Sequence, residues 1–225
     1  SKTHPQLVRE YGKYLWLDPG ERAVQEHTLR VVMDVVQRYD VDGVHFDDYF
    51  YPYKESSGGK ELDFPDGASW QKFGAGGRLS RDDWRRENVN GFIQSVYKSI
   101  KATKPWVKFG VSPFGIWRPG NPGQLKGLDA YSVLYADSRK WLANGWLDYF
   151  APQLYWAIEP KDQSFPALLD WWNAQNPKHR HIWPGVDTTK VRSKWKPDEI
   201  VNQIRLAKKQ AVSAGHVHWN MKSLL

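Results

Sequence analysis

Apolar residues recur along this chain with two different spacings, and each spacing predicts one kind of element. Helical spacing over residues 20–39 and 81–103 predicts two long helices, each with an apolar side of valines or isoleucines. Between them, alternation over residues 41–48 predicts a strand. Residues 49–80 are rich in glycine, serine, proline and aromatic residues and predict a long loop. In a compact domain a loop of that length indicates a functional lid or disorder.

Strands and helices then alternate to the end of the chain. The predicted strands lie at residues 107–112, 147–154, 181–186 and 215–219, and the predicted helices at residues 138–144, 165–175 and 197–214. With the strand at 41–48 this makes about five βα units, and a short extra strand is expected at 14–17. Such alternation predicts an α/β fold with a parallel sheet.

Five strands are too few for a closed β/α barrel, which has eight. We therefore predict a fold of the (β/α)8 TIM-barrel type, of which this chain covers only the later strands. The chain would be a single domain, residues 1–225, that lacks its N-terminal strands. A smaller, complete open α/β sheet is the alternative. A partial barrel leaves open sheet edges and apolar surface, so further chain or a partner is expected to cover them.

Composition narrows the class of protein. The chain has 225 residues, 40% of them hydrophobic and 25% charged, which is typical of one globular domain. Its net charge is +7, but the basic residues are dispersed, so we predict no nucleic-acid partner. The absence of cysteine excludes disulfides and thiol chemistry. No apolar run reaches membrane-spanning length, no signal peptide precedes Ser1, and the polar start is consistent with a processed or excised chain.

Aromatic residues are unusually frequent, at 15% of the chain, with 13 Trp, 11 Tyr and 9 Phe. Many of them lie beside Gly, Pro, Asn or Asp in stretches predicted as loops. About half are expected in the core. Exposed rings stack well on the apolar faces of sugars, and also on bases.

The first predicted strand ends in two adjacent carboxyl groups, Asp47 and Asp48. Alternation places His45 and Asp47 on the inner face of the sheet, and Val44 and Phe46 on the helix side. Because barrel enzymes carry their chemistry at the C-terminal strand ends, Asp47 is the first candidate for a catalytic residue. A cap of the next turn or helix is the alternative. Asp48 is predicted to point toward the helix layer or the loop, where a structural role is as plausible as a catalytic one.

Polar and aromatic residues also follow the other strands. The predicted sugar-binding residues at these ends are His45, Tyr49, Ser112, Asp137, Gln153, Tyr155, Trp156, Asp187 and Trp219. Glycoside hydrolysis needs a second carboxyl group or a participating group of the substrate. Asp137, Glu159 and Asp187 are candidates for that second group, and each could equally cap a helix or lie in solvent.

Three polar residues begin the helix that follows the long loop: Arg85, Arg86 and Asn88. They are predicted to reach over the mouth of the barrel and bind polar substituents of a substrate, with a solvated helix start as the alternative. Positive charge is unfavourable at a helix N-terminus. Two arginines there therefore indicate some other partner.

A metal site is conceivable from His45, Asp47, His216 and His218, because imidazoles and carboxylates suit zinc and similar ions. Inward-facing histidines in barrels are more often hydrogen-bonded, and no short-spaced metal motif occurs. We therefore predict neither a metal nor a cofactor.

Four ordered motifs carry a family resemblance. They are DGVHFDDY at residues 42–49, DWRRENVN at 83–90, GVSPFGIWR at 110–118 and DYFAPQLYW at 148–156. Together they resemble the glycosyl-hydrolase-like family 10, the YngK-like bacterial proteins. The resemblance implies a secreted or envelope-associated bacterial glycosidase, with peptidoglycan glycan strands as a plausible substrate. The segment WLDPG at residues 16–20 is similar to one that follows the third barrel strand in that family.

A more distant resemblance is to the family 18 chitinases, whose fourth strand carries Asp-Gly-x-Asp-x-Asp-x-Glu. Asp42, Gly43 and Asp47 match that motif. His45 replaces an acid, however, and Tyr49 stands where the catalytic Glu would be, so the chitinase acid role does not transfer.

Three functions are therefore expected, in this order. The first is a glycoside hydrolase that cleaves a bacterial cell-wall or related polysaccharide by carboxylate acid/base catalysis, with Asp47 and Asp48 at its centre. The second is a non-catalytic glycan-binding barrel. The third is a metal-dependent hydrolase that removes acyl groups from a glycan. The linkage, the stereochemical outcome and the oligomeric state do not follow from the sequence.

Overall fold

The computed structural model describes residues 3–191, 193–210 and 215–225. The strands are β1 (Val8–Tyr11), β2 (Tyr14–Leu17), β3 (Gly43–Phe46), β4 (Ser56–Ser57), β5 (Lys60–Glu61), β6 (Lys108–Val111), β7 (Tyr149–Phe150), β8 (His181–Ile182), β9 (Gly185–Asp187) and β10 (Val217–Trp219). The helices are α1 (Arg22–Arg38), α2 (Gly67–Phe73), α3 (Arg81–Thr103), α4 (Ala130–Val133), α5 (Ser138–Asn144), α6 (Phe165–Ala174) and α7 (Pro197–Lys208).

Most predicted elements are confirmed. Helices α3 and α5 have the predicted bounds, and the extra strand at 14–17 is β2, which pairs with β1 as an antiparallel hairpin. The strand predicted at 181–186 is divided into β8 and β9. Residues 211–214, the predicted end of the last helix, lie outside the described residues.

A parallel sheet organises the fold. Its strand order is β3-β6-β7-β8, which follows the order of the chain, and β9 and β10 form a second parallel pair. Gln153 bridges both Phe114 and Gly185, so the two sheets continue into one another. The protein is thus a mixed α/β fold with a parallel sheet, and the strands of the described residues do not close into a barrel.

The predicted division of β3 into two faces is confirmed. Phe46 stacks on Phe92 of α3 at 6.0 Å between ring centroids and meets Phe109 of β6 edge-on at 5.2 Å. His45 points the other way and lies 3.0 Å from the Tyr149 hydroxyl. Alternation predicts these faces correctly because β3 is regular extended backbone.

The segment predicted as a long loop, residues 49–80, contains two short strands and a helix, so that prediction is wrong in part. Strands β4 and β5 form a short hairpin within it, and α2 follows. Tyr11 fixes the two ends of the hairpin, because its hydroxyl donates to the Leu62 carbonyl at 2.8 Å and accepts from the Glu55 amide at 3.1 Å. Local composition gave no sign of these contacts with a residue more than 40 positions away.

Two surface features accompany this fold. The apolar side of α1 is exposed at Val31, Val35 and Tyr39, and β3 is an edge strand of its sheet. Within the described ranges, the structure has no helix of the length and apolarity that crossing a membrane requires.

Candidate active site

A cavity of about 150 Å³ lies at the C-terminal ends of β3, β7 and β10. Its lining residues are Asp47, Asp48, Tyr49, Tyr53, Gln153, Tyr155 and Trp219. All of them except Tyr53 belong to the predicted site. They meet because the carboxyl ends of parallel strands lie at one edge of a sheet.

Asp47 is the exposed carboxyl group of this cavity. Its Oδ1 accepts hydrogen bonds from Gln153 Nε2 at 3.0 Å and from the Asp48 amide at 2.8 Å. Gln153 Nε2 also donates to the Ser112 carbonyl at 2.9 Å. Residues at three neighbouring strand ends therefore hold the Asp47 carboxylate in one orientation.

Asp48 is the buried carboxyl group of the cavity, and it accepts a hydrogen bond at Oδ2 from the Tyr53 hydroxyl. Burial raises the pKa of Asp48 to about 6 against the opposing effect of the Tyr53 hydrogen bond, and the nearby Asp47 raises it further. Asp48 thus holds a proton at mildly acidic pH. Asp48 points toward the loop, as predicted, where it meets Tyr53, and it also lines the cavity beside Asp47. Alternation does not decide its direction, because β3 ends at Phe46.

Aromatic rings form the opposite wall. Tyr155 lies 6.3 Å from Trp219 between ring centroids, with the planes inclined by 32°, and Trp219 is half exposed. Tyr49 is also exposed. Burial raises the pKa of Tyr155, and Asp47 and Asp187 raise it further, so its hydroxyl stays protonated. Exposed flat rings beside hydrogen-bonding groups suit a pyranose.

His45 supports the cavity from the inner face of β3. Its Nε2 lies 2.9 Å from Ser112 Oγ, and its ring stacks on Tyr149 at 5.6 Å. Desolvation lowers the pKa of His45, against the attraction of Asp47. His45 and Ser112 thus lie on the face where alternation predicts them and contact each other. Neither lines the cavity, so their predicted sugar-binding role is not supported.

Residues 2–202 match the sequence family described as Glycosyl hydrolase-like 10, which is nine tenths of the chain. The chain belongs to this family. The resemblance given by the four motifs is thereby confirmed, and a function of glycoside-hydrolase type is supported.

Two curated bacterial proteins are similar in sequence to this chain. "Glycosyl hydrolase YngK" of Bacillus subtilis (strain 168) is 38% identical over 235 residues, which cover 100% of this chain and 45% of YngK. "Glycosyl hydrolase DigH" of Escherichia coli (strain K12) is 40% identical over 206 residues, covering 88% of this chain and 46% of DigH. The chain therefore spans less than half the length of these relatives.

Among solved structures, bee venom hyaluronidase in complex with a hyaluronic acid tetramer aligns with a TM-score of 0.38 and 13% identity. That alignment covers 67% of this chain and 51% of the hyaluronidase. A likeness of this strength does not define the fold of a Glycosyl hydrolase-like 10 protein.

Arg85 lies outside the cavity, contrary to the prediction that it binds substrate. Its side chain is buried, with Nε 2.8 Å from Asp66 Oδ2 and Nη1 2.8 Å from Asp63 Oδ1 and 2.6 Å from the Tyr135 hydroxyl. Burial alone would lower the pKa of Arg85, but its contacts with Asp66 and Asp63 raise it. Two arginines at the start of a helix were expected to have a partner. For Arg85 that partner is a pair of aspartates of the same chain.

Arg86 and Asn88 are likewise occupied elsewhere, so their predicted binding role is not supported. Arg86 Nη2 lies 2.6 Å from Asp83 Oδ1, and its guanidinium stacks over Tyr131 at 4.1 Å. Asn88 lines a separate apolar groove between α1 and α3. The sequence places both residues on the correct helix but does not show which face each occupies.

Three predicted acids, proposed as the second carboxyl group, lie outside the cavity. Asp137 is the N-cap of α5 and accepts from Trp117 Nε1 at 3.0 Å. Asp187 is buried, accepts from the Thr189 amide at 3.1 Å and pairs with Lys190 at 3.3 Å. Glu159 is exposed on a loop. The capping alternative is therefore the correct one for Asp137 and Asp187.

Trp156 is also absent from the cavity lining, although it was predicted to bind sugar. Its ring meets Phe114 edge-on at 5.6 Å and packs against the core. Tyr155 lines the cavity, whereas Trp156 does not, so its predicted binding role is not supported.

The four residues considered for a metal are not brought together. His216 Nε2 lies 3.0 Å from His218 Nε2, whereas His45 contacts Ser112 and Tyr149. In the part of the chain that the structure describes, no group of three or more His, Asp and Glu side chains is arranged to hold a metal ion.

Tyr53 is the cavity residue that sequence reasoning missed. It belongs to the run YFYPY at residues 49–53, directly after the two aspartates. A tyrosine beside a pair of carboxyl groups was the available signal. The spacing does not show which of the three tyrosines turns back toward them.

Proposed function

We propose that the cavity around Asp47 and Asp48 is the catalytic centre of a glycoside hydrolase that cleaves glycosidic bonds by carboxylate acid/base catalysis. One observation carries this proposal: an exposed and a buried carboxyl group share one small cavity walled by aromatic rings. Membership of the Glycosyl hydrolase-like 10 family supports the same reaction class.

The two carboxyl groups would act together, and Asp48 would be the one that carries the proton. Asp47 raises the pKa of Asp48 by its charge and also by a side-chain hydrogen bond. Asp48 would therefore hold the proton that the reaction needs, directly beside the exposed carboxyl group of Asp47.

In the proposed reaction the exposed Asp47 faces the glycosidic oxygen and passes to it the proton that Asp48 supplies, as the bond to the anomeric carbon breaks. The leaving sugar departs as a neutral alcohol. Attack on the anomeric carbon falls to water or to a group of the substrate itself. Tyr155 and Trp219 would hold the sugar ring against the carboxyl groups by stacking.

We propose a polysaccharide of the bacterial cell wall, or a related glycan, as substrate, and a secreted or envelope location. The support is that YngK and DigH, both bacterial, are named glycosyl hydrolases. We also propose that the parallel strands are the later part of a (β/α)8 barrel in a single domain. Further strands would then cover the β3 edge and the exposed apolar side of α1.

The test uses full-length protein with peptide-free peptidoglycan strands and chitin oligomers, and mass spectrometry of the products. The wild type should release shortened glycans, while Asp47→Asn should lose at least about a hundredfold in turnover, as is typical when general acid/base catalysis is removed. Asp42→Asn is the matched control, because Asp42 is exposed just before the opposite end of β3.

Three outcomes would overturn the proposal. Equal turnover by wild type and Asp47→Asn would remove Asp47 from the chemistry. Intact glycans that co-sediment with both proteins would show a non-catalytic glycan-binding protein. Loss of acyl groups from unshortened glycans, abolished by a chelator, would show a metal-dependent deacylase.

A further inference from the structure

Tyr53 connects the candidate catalytic pair to the segment that follows β3. It is half buried, it lines the cavity, and its hydroxyl donates to Asp48 Oδ2. We propose that Tyr53 is a positioning residue, which fixes the buried carboxyl group of Asp48 and sets how firmly Asp48 holds its proton. This inference rests on the proposed function of that pair.

The direction of the hydrogen bond decides the effect. Burial, reinforced by the contact with Asp48, raises the pKa of Tyr53 well above its usual value, so the hydroxyl remains a donor at any physiological pH. A donor stabilises the ionised carboxylate more than the neutral acid. Tyr53 therefore counteracts the burial of Asp48 and keeps its proton transferable.

Other groups that face Asp48 do not duplicate this role. Asp47 from the same turn acts in the opposite sense, because its charge favours the protonated form of Asp48. Tyr49 and Tyr155 also line the cavity, and burial raises the pKa of both hydroxyls. The tyrosine hydroxyls therefore stay neutral, whereas Asp48, with a pKa of about 6, changes charge between pH 4.5 and 8.

The position of Tyr53 is fixed from both sides of the hairpin that follows it. Tyr11 bonds to the backbone of Glu55, two residues beyond Tyr53, and to that of Leu62. Arg85 holds Asp63 and Asp66 a few residues further on. The buried arginine thus supports the site through the segment that carries Tyr53.

The experiment compares Tyr53→Phe with Tyr11→Phe in the full-length protein. The first readout is the free energy of unfolding from urea titrations between pH 4.5 and 8, and the second is the pH profile of glycan cleavage. Each variant loses one hydroxyl that bonds to the chain between residues 48 and 62. Tyr11 bonds only to backbone groups in the contacts the structure describes, so its loss should cost the same at every pH.

For Tyr53→Phe we expect a cost that grows with pH, because the missing donor matters once Asp48 is ionised. The limb of the activity profile that reports Asp48 should move up by about one pH unit, the usual effect of losing a hydrogen bond to a charged group. A Tyr53→Phe cost that stays constant from pH 4.5 to 8, as for Tyr11→Phe, would overturn the inference. If wild type cleaves no glycan at any pH, the proposed function fails while the unfolding data still decide the role of Tyr53.

Discussion

Replacing Asp48 by Asn should stabilise the protein at neutral pH and leave it unchanged in acid. Asp48 is 3% exposed, and burial raises its pKa from 3.8 to about 6. The shift is about two units, and each unit corresponds to about 1.4 kcal/mol, so ionisation of the buried group costs roughly 3 kcal/mol. Asparagine has nearly the same shape, stays neutral, and can accept the Tyr53 hydrogen bond through Oδ1.

The sign follows from proton linkage. A carboxyl group whose folded pKa is raised contributes stability that is fully present below pH 3.8 and is lost as the pH rises through about 6. Asp48→Asn should therefore exceed wild type by up to about 3 kcal/mol at pH 7.5, with the difference disappearing near pH 4.

Urea unfolding of the full-length protein at pH 4, 5, 6 and 7.5 measures this difference directly. Asp42→Asn, the same chemical change at an exposed position, should give a nearly flat difference across that range. An Asp48→Asn variant that is less stable than wild type at pH 7.5, or equally altered at every pH, would refute the reasoning. Either result would mean that the ionised, buried Asp48 does not destabilise the folded protein.

Two further predictions concern the residues around the cavity. Arg85→Ala should lower the free energy of unfolding by about 3–5 kcal/mol, because it leaves Asp66 buried without its main cation. Arg78→Ala is the control, because Arg78 is exposed and its loss should change the free energy of unfolding little. Equal effects of the two substitutions would contradict a buried ion pair. Trp219→Ala should weaken binding of chitin oligomers by about tenfold, the effect of losing roughly 1–1.5 kcal/mol of aromatic contact, as measured by calorimetry. Trp106→Ala is the control, because the Trp106 ring is exposed and is not part of the cavity lining. If both substitutions weakened oligomer binding equally, Trp219 would not be part of the binding site.

The sequence alone predicted the parts of this protein that depend on local periodicity. Helices α3 and α5, the inward face of β3 and the parallel arrangement follow from spacing, because burial of one face imposes that spacing on regular backbone. It also predicted that Asp47, Gln153, Tyr155 and Trp219 converge, since each follows or ends a parallel strand.

Only the tertiary structure decided what lies beyond the strand ends, where periodicity stops. Asp48 turns into the cavity and Tyr53 folds back onto it, and neither direction is encoded in the alternation of β3. Arginine is a residue type that often binds ligands, but Arg85 is buried against Asp63 and Asp66, about twenty residues earlier in the chain. Such pairings depend on which segments the fold brings together and shields from water. The roles of these groups are therefore determined by burial and long-range contacts, which the order of residues does not display.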